Sequence, residues 1–120
     1  MKENIVREKS FAFALRAVKL ARYLQAEKKE YVLSKQVLRS GTAIGALVRE
    51  AEHAESKADF THKMNIALKE ANETQYWLEL LFQSETIDRP SFESISADSE
   101  ELLKLLVAIV KSSKGSTRAH

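Results

Sequence analysis

The chain has 120 residues with no cysteine, three glycines and one proline; this length fits one domain with a self-sufficient core, and so few turn residues argue against an all-β fold. Without cysteine there is no disulfide frame, no thiolate nucleophile and no cysteine metal site, which fits a reducing cytosol. The net charge of +2 conceals an asymmetry: residues 1–50 hold eleven Lys/Arg against five Asp/Glu, a balance of +6, and residues 51–120 hold eight against twelve, a balance of −4. Halves of opposite sign attract one another within a fold or across subunits, and a basic half offers a surface to a polyanion. No apolar run reaches the ~18 residues of a membrane span, and MKENIVREKS lacks an apolar signal core. The expectation is a soluble cytoplasmic protein with no membrane partner.

Four helical segments follow in chain order. The first runs from about Asn4 to Ala26. Phe11, Ala14, Leu15, Val18 and Ala21 recur at spacings of three and four, so they are expected to form its core stripe. Lys9, Arg16 and Lys19 fall on the other side. The second segment is expected to start at an N-capping Ser34 and to reach about Ala54. Val37, Gly41, Ile44, Gly45 and Val48 share one face, while Lys35, Arg39, Thr42, Ala46, Arg49 and His53 form a polar stripe. Glycine inside a helix costs about 1 kcal/mol relative to alanine. Gly41 and Gly45 sit on the apolar stripe, so a close approach by another helix is expected to offset that cost.

Ser56-Lys57-Ala58-Asp59 resembles a capping box with Asp in place of Glu. It opens a third helix ending near Ser84, with Phe60, Met64, Ala67, Ala71, Thr74, Leu78 and Phe82 as its core stripe. Pro90 then marks a turn or the first position of the next helix. The fourth helix is expected over roughly Phe92 to Ser113, kinked or restarted near Asp98. Residues 114–120 read as a disordered tail, leaving 1–113 as a single bundle domain. Four helices with short connections predict an all-α, antiparallel up-down four-helix bundle. YWLELLF (Tyr76 to Phe82) and LLKLLVAIV (Leu102 to Val110) are apolar over wide arcs. That surplus predicts self-association through Tyr76, Trp77, Leu80, Leu81, Leu105 and Ile109.

No constellation points to catalysis. A di-metal carboxylate bundle wants a Glu from each of two helices and E-x-x-H from each of the others. The chain has one E-x-x-H, Glu50 to His53, and one E-x-x-E, Glu70 to Glu73. Glu70 and Glu73 can serve as an acid/base pair, but a salt bridge to Arg39 or Arg49 is the expected use. No nucleophile motif flanks His53, His62 or His120, and Gly41 and Gly45 lack the GK[ST] of a phosphate loop. Neither an enzyme, a cofactor nor a metal is expected. Tyr76 and Trp77 read as core or interface aromatics in preference to base-stacking groups.

LRSGTAIGALVREAEHAESKADFTHKMNIALKEANETQYWLELL (Leu38 to Leu81) resembles the signature region of the small bacterial four-helix-bundle proteins encoded in intervening sequences of 23S ribosomal RNA genes. RSGTAIGA, SKADFTHK and ALKEANETQYWLELL carry the match. Gly41, Gly45, Glu70, Asn72, Glu73, Tyr76, Trp77 and Glu79 are its pattern positions, and Leu47 departs from it, standing where a small polar residue is expected. The resemblance implies a homopentameric ring. It also implies kinship with the accessory variability protein of diversity-generating retroelements, a basic pentamer that works beside a reverse transcriptase and nucleic acid. Two functions are therefore weighed. One is a non-enzymatic ring that binds RNA or DNA, or a nucleic-acid-handling partner, through Lys9, Arg16, Lys19, Lys35, Arg39 and Arg49. The other is an oligomeric scaffold for a protein partner.

Overall fold

A computed structural model describes residues 2–118, with side chains described from 5 to 115. The described residues form four α-helices: α1 (Lys2–Glu27), α2 (Leu33–Ala51), α3 (Lys57–Gln83) and α4 (Arg89–Arg118). The connections 28–32, 52–56 and 84–88 are short, so each helix reverses on the last. Consecutive helices pack side by side, and α4 returns to α1, giving an up-down bundle measuring 52 × 21 × 21 Å. Leu24, Ile44, Met64, Leu78, Leu81, Leu102 and Leu106 are fully buried along its axis.

Local chemistry explains most helix ends. Ser56 accepts from the Asp59 backbone N–H at 3.0 Å, and Asp59 accepts from the Glu55 N–H at 3.2 Å, so α3 opens on the expected capping pair. α4 starts earlier than the periodicity predicts and shows no break near Asp98. Asp88 is the reason: its carboxylate accepts from the Ser91 N–H at 2.9 Å. Hydrogen bonds from Ser91 hold that carboxyl below its ordinary pKa, with a smaller contribution from the Lys28 charge. Pro90 then falls in the first turn, where its missing N–H costs nothing. The backbone of α4 continues to Arg118, into the stretch expected to be a tail; residues 119–120 lie outside the described residues.

Ser34 does not cap α2. The helix begins one residue earlier, after Val32, and the Ser34 N–H donates instead to the Glu30 carboxylate at 2.9 Å. Its hydroxyl is buried and accepts from Gln25 at 3.2 Å. Glu30 thus reaches across the turn to do the capping. At the same end of the bundle α1 and α3 are each followed by a non-glycine residue with positive φ, Lys29 at 53° and Glu85 at 63°.

α1 buries a different face from the one its apolar spacing predicts. Its core face is Val6, Ser10, Phe13, Ala17, Ala21 and Leu24. Of the stripe read from the sequence only Ala21 is buried; Phe11 and Leu15 are 50% and 49% exposed. Both sets have helical spacing, because α1 is apolar on two faces. Glycines on α2 decide between them. A Cβ on Gly41 would lie 2.7 Å from the Ala17 Cβ, and one on Gly45 would lie 3.3 Å from the Ser10 carbonyl oxygen. The expected close approach is real, and it selects the α1 face with the small residues Ser10 and Ala17.

Candidate nucleic-acid interface

The signature segments interlock. Arg39 on α2 bridges Glu70, at 3.3 Å, and Glu73, both on α3. Glu73 also accepts from the Trp77 indole N–H at 3.0 Å. Beneath them Thr74 Oγ1 lies 2.9 Å from Ser40 Oγ, while Ser40 donates to the Gln36 carbonyl at 3.0 Å, so both buried hydroxyls are satisfied. Arg39, Ser40, Glu70, Glu73, Thr74 and Trp77 thus form one polar seam between α2 and α3. The salt bridge expected of Glu70 and Glu73 is formed, with Arg39 as its cation. Among the described residues no three His, Asp or Glu side chains gather as metal ligands would.

This seam changes the meaning of the six cations read as a binding surface. Arg39 is engaged by α3. Lys9 pairs with Glu101 at 3.1 Å and Arg16 with Asp98 at 2.8 Å, both on α4. Three of the six therefore spend their charge inside the chain. Lys19 and Lys35 have no ion-pair partner among the described residues, and Arg49 lies over the Phe11 ring, 5.3 Å from its centroid. Arg22 is also exposed and without an ion pair among the described residues, and the sequence reading passed over it. The signal was available: Lys9 to Ala26 and Tyr31 to Arg49 contain no acidic residue at all. Among the described residues, every carboxylate that pairs with a cation of these two stretches comes from α3 or α4. α1 and α2 thus keep Lys19, Arg22, Lys35 and Arg49 exposed and without an ion pair among the described residues.

The six residues assigned to self-association are scattered. Leu81 is fully buried and Ile109 nearly so, both inside the single chain, and this removes them from any surface a second copy can touch. Leu105 packs against the core, and Trp77 is half-buried against α2. Leu80 is partly exposed, and only Tyr76, at 57%, stands out into solvent. The apolar surplus of α3 and α4 is absorbed between those helices, for example by the stacked rings of Phe82 and Phe92 with centroids 4.5 Å apart. Exposed large apolar groups cluster elsewhere: Ile5, Phe11, Leu15 and Tyr23 on α1, with Tyr31 and Val32 in the α1–α2 connection. A shallow groove lined by Phe11, Ala14, Thr42, Gly45 and Arg49 runs along this α1–α2 surface.

A second, larger groove of about 580 Å³ separates the C-terminal half of α1 from the N-terminal half of α4. Leu20, Ile87 and Ile95 form its floor, Tyr23 and Pro90 its end, and Arg16, Lys19, Ser91 and Ser94 its rims. Arg16 is fixed there by the Ser94 carbonyl at 3.1 Å, the Ser94 hydroxyl at 2.9 Å and Asp98.

A family profile described as 23S rRNA-intervening sequence protein matches residues 2–108. The chain belongs to that family. A crystal structure of a protein of unknown function from the S23 ribosomal protein family of Bacteroides thetaiotaomicron VPI-5482 is 60% identical, superposes with a TM-score of 0.91, and is matched over 92% of this chain and 99% of that one. No curated protein matches the chain. No helix among the described residues is long and apolar enough to cross a membrane.

Proposed function

We propose that this member of the 23S rRNA-intervening sequence family is a non-enzymatic, cytoplasmic homo-oligomer that binds RNA or DNA through the outward face of α1 and α2. One observation carries the reading: across Lys9–Ala26 and Tyr31–Arg49 the chain has seven cations and no carboxylate, and four of them, Lys19, Arg22, Lys35 and Arg49, keep their charge unpaired among the described residues. Such a surface is the electrostatic footprint of a polyanion site. Repetition of the patch around an assembly adds multivalency. A non-enzymatic role is favoured because Glu70 and Glu73, the nearest thing to an acid/base pair, are occupied by Arg39 and Trp77.

Assembly is supported by Phe11 and Leu15, one helical turn apart and half exposed on α1. This pair replaces the α3–α4 surface as the proposed contact between copies. A homopentameric ring is the count that the family resemblance implies. Light scattering of the full chain reads the mass, and Phe11→Glu with Leu15→Glu is expected to reduce it to that of the monomer. A wild-type monomer at micromolar concentration would defeat the assembly claim.

Filter binding over a salt series tests the nucleic-acid claim. Each phosphate contact contributes about −0.9 to the slope of log affinity against log salt on duplex. Alanine at Lys35 and Arg49 is expected to flatten that slope, while Lys9→Ala changes it little. If structured ribosomal RNA and duplex DNA are both ignored at low salt by an oligomeric chain, the reading of an oligomeric scaffold for a protein partner takes its place.

A further inference from the structure

We infer that the α1–α4 groove seats unpaired nucleotides of a single-stranded segment, with Tyr23 as the stacking platform and Lys19 as the phosphate contact. This rests on the nucleic-acid reading above and narrows it from polyanions in general to strands whose bases are free.

The groove has two chemistries side by side. Its floor of Leu20, Ile87 and Ile95, closed by Pro90, is apolar and offers nothing to phosphate. Its rims are cationic and hydroxylic, and no carboxylate lines it. Of the flanking acids, Asp98 is paired with Arg16, and Asp88 caps α4 through the Ser91 N–H while keeping its charge. A ligand that suits both must carry a flat or apolar body beside a negative charge. A duplex shows only phosphates and base edges here, since its base faces are stacked inside. An unpaired nucleotide presents both a ring face and a phosphate, and proteins bind such nucleotides by pairing cationic tracks with aromatic and arginine planes.

The parts are placed for that use. Tyr23 lines the groove and is 44% exposed, so its ring is accessible to a ligand there. Lys19 lies one turn before it on the same wall, unpaired among the described residues. Arg16 is one further turn along, its guanidinium held by three hydrogen bonds and so pre-set as a second plane. Arg22 on α1 and Lys35 on α2 are further exposed cations without an ion pair among the described residues.

Fluorescence anisotropy with the full chain decides the matter, using a short single-stranded RNA and a duplex of the same sequence. The single strand is expected to bind more tightly than the duplex. Tyr23→Ala is expected to weaken single-strand binding by about 5- to 150-fold, the equivalent of one stacked base, and Tyr23→Phe to restore it. Lys19→Gln is expected to flatten the single-strand salt slope by about 0.7. Circular dichroism verifies that each variant remains folded, as an exposed tyrosine allows. Equal affinity for duplex and single strand, an unchanged Tyr23→Ala protein, or a Tyr23→Phe protein as weak as Tyr23→Ala would each overturn the inference. In those cases dependence on Lys35 and Arg49 leaves the broader reading standing. Absence of all nucleic-acid binding, with an acidic aromatic peptide bound instead, overturns both.

Discussion

The α2–α3 and α1–α4 seams are built from similar residue types and end up differently. In the first, Arg39 reaches two carboxylates of which Glu70 is only 21% exposed, and the hydroxyls of Ser40 and Thr74 meet underneath at 2.9 Å. Small and polar partners at matching heights let the helices close completely. In the second, Lys9–Glu101 is an exposed single pair, while Arg16 holds Asp98 and Ser94 at the rim of a groove that parts the helices. Ion pairs in water contribute little to stability, so they do not draw α1 and α4 together as the shared core draws α2 and α3. The difference teaches that a charged residue's role depends on the height at which its partner stands. Arg39 helps to build the bundle, whereas Lys19 and Arg22 have no ion-pair partner among the described residues and stay exposed.

The largest expected effect lies on α2. Gly41→Leu places a side chain where even a Cβ lies 2.7 Å from Ala17, and it is expected to cost about 3 kcal/mol by overpacking, read as a lower denaturant midpoint. Gly115→Ala is its control, because nothing lies within 4 Å of that position, and stability there should hold or rise slightly. Next in size, Arg39→Ala strands Glu70 and Glu73 side by side and should cost about 1–2 kcal/mol, against less than about 1 for Arg16→Ala. Equal costs in thermal melts would erase the distinction between the seams. A double-mutant cycle of Arg39→Ala with Glu73→Gln should return a coupling above about 0.5 kcal/mol.

Two smaller effects sharpen the picture at the connection end. Glu85→Gly should raise stability by about 0.5–1 kcal/mol, since φ of 63° penalises a side chain and not glycine; a lowered melting temperature would contradict it. Asp88 supplies the pH dependence. Its carboxyl is held below the ordinary value of 3.8, so its stabilising contribution is present above the unfolded pKa and is lost as pH falls through the lowered folded one. Because Asp88 is fully exposed, the effect is small. Asp88→Asn should therefore narrow the gap in melting temperature between neutral and acid solution; an unchanged gap would show that the α4 cap does not titrate.

Much of this was legible in the chain. Ser56 and Asp59 announced the start of α3, the spacing of Met64, Ala67, Ala71, Thr74 and Leu78 named its buried face, and Gly41 announced a close crossing. Arg39 was named as a cation for Glu70 and Glu73. Other features were invisible for physical reasons. Phe11 and Leu15 have the same periodicity as Phe13 and Ala17, and spacing alone cannot tell two apolar faces apart. Helix ends at Lys29 and Glu85 use a left-handed residue without the glycine that normally betrays it. Glu30 caps α2 from across a turn, a contact for which no local pattern exists.

What the sequence determined by itself was the set of helices, their antiparallel order and the acid-free composition of the first two, because periodicity, short connections and charge are local properties of a chain. Only the tertiary structure decided which face of α1 is core, which cations are neutralised from α3 and α4, and where a groove remains. Those outcomes depend on the heights and angles at which distant helices meet, and a Cβ 2.7 Å from Ala17 or a carboxylate 2.8 Å from Arg16 exists only once they have met.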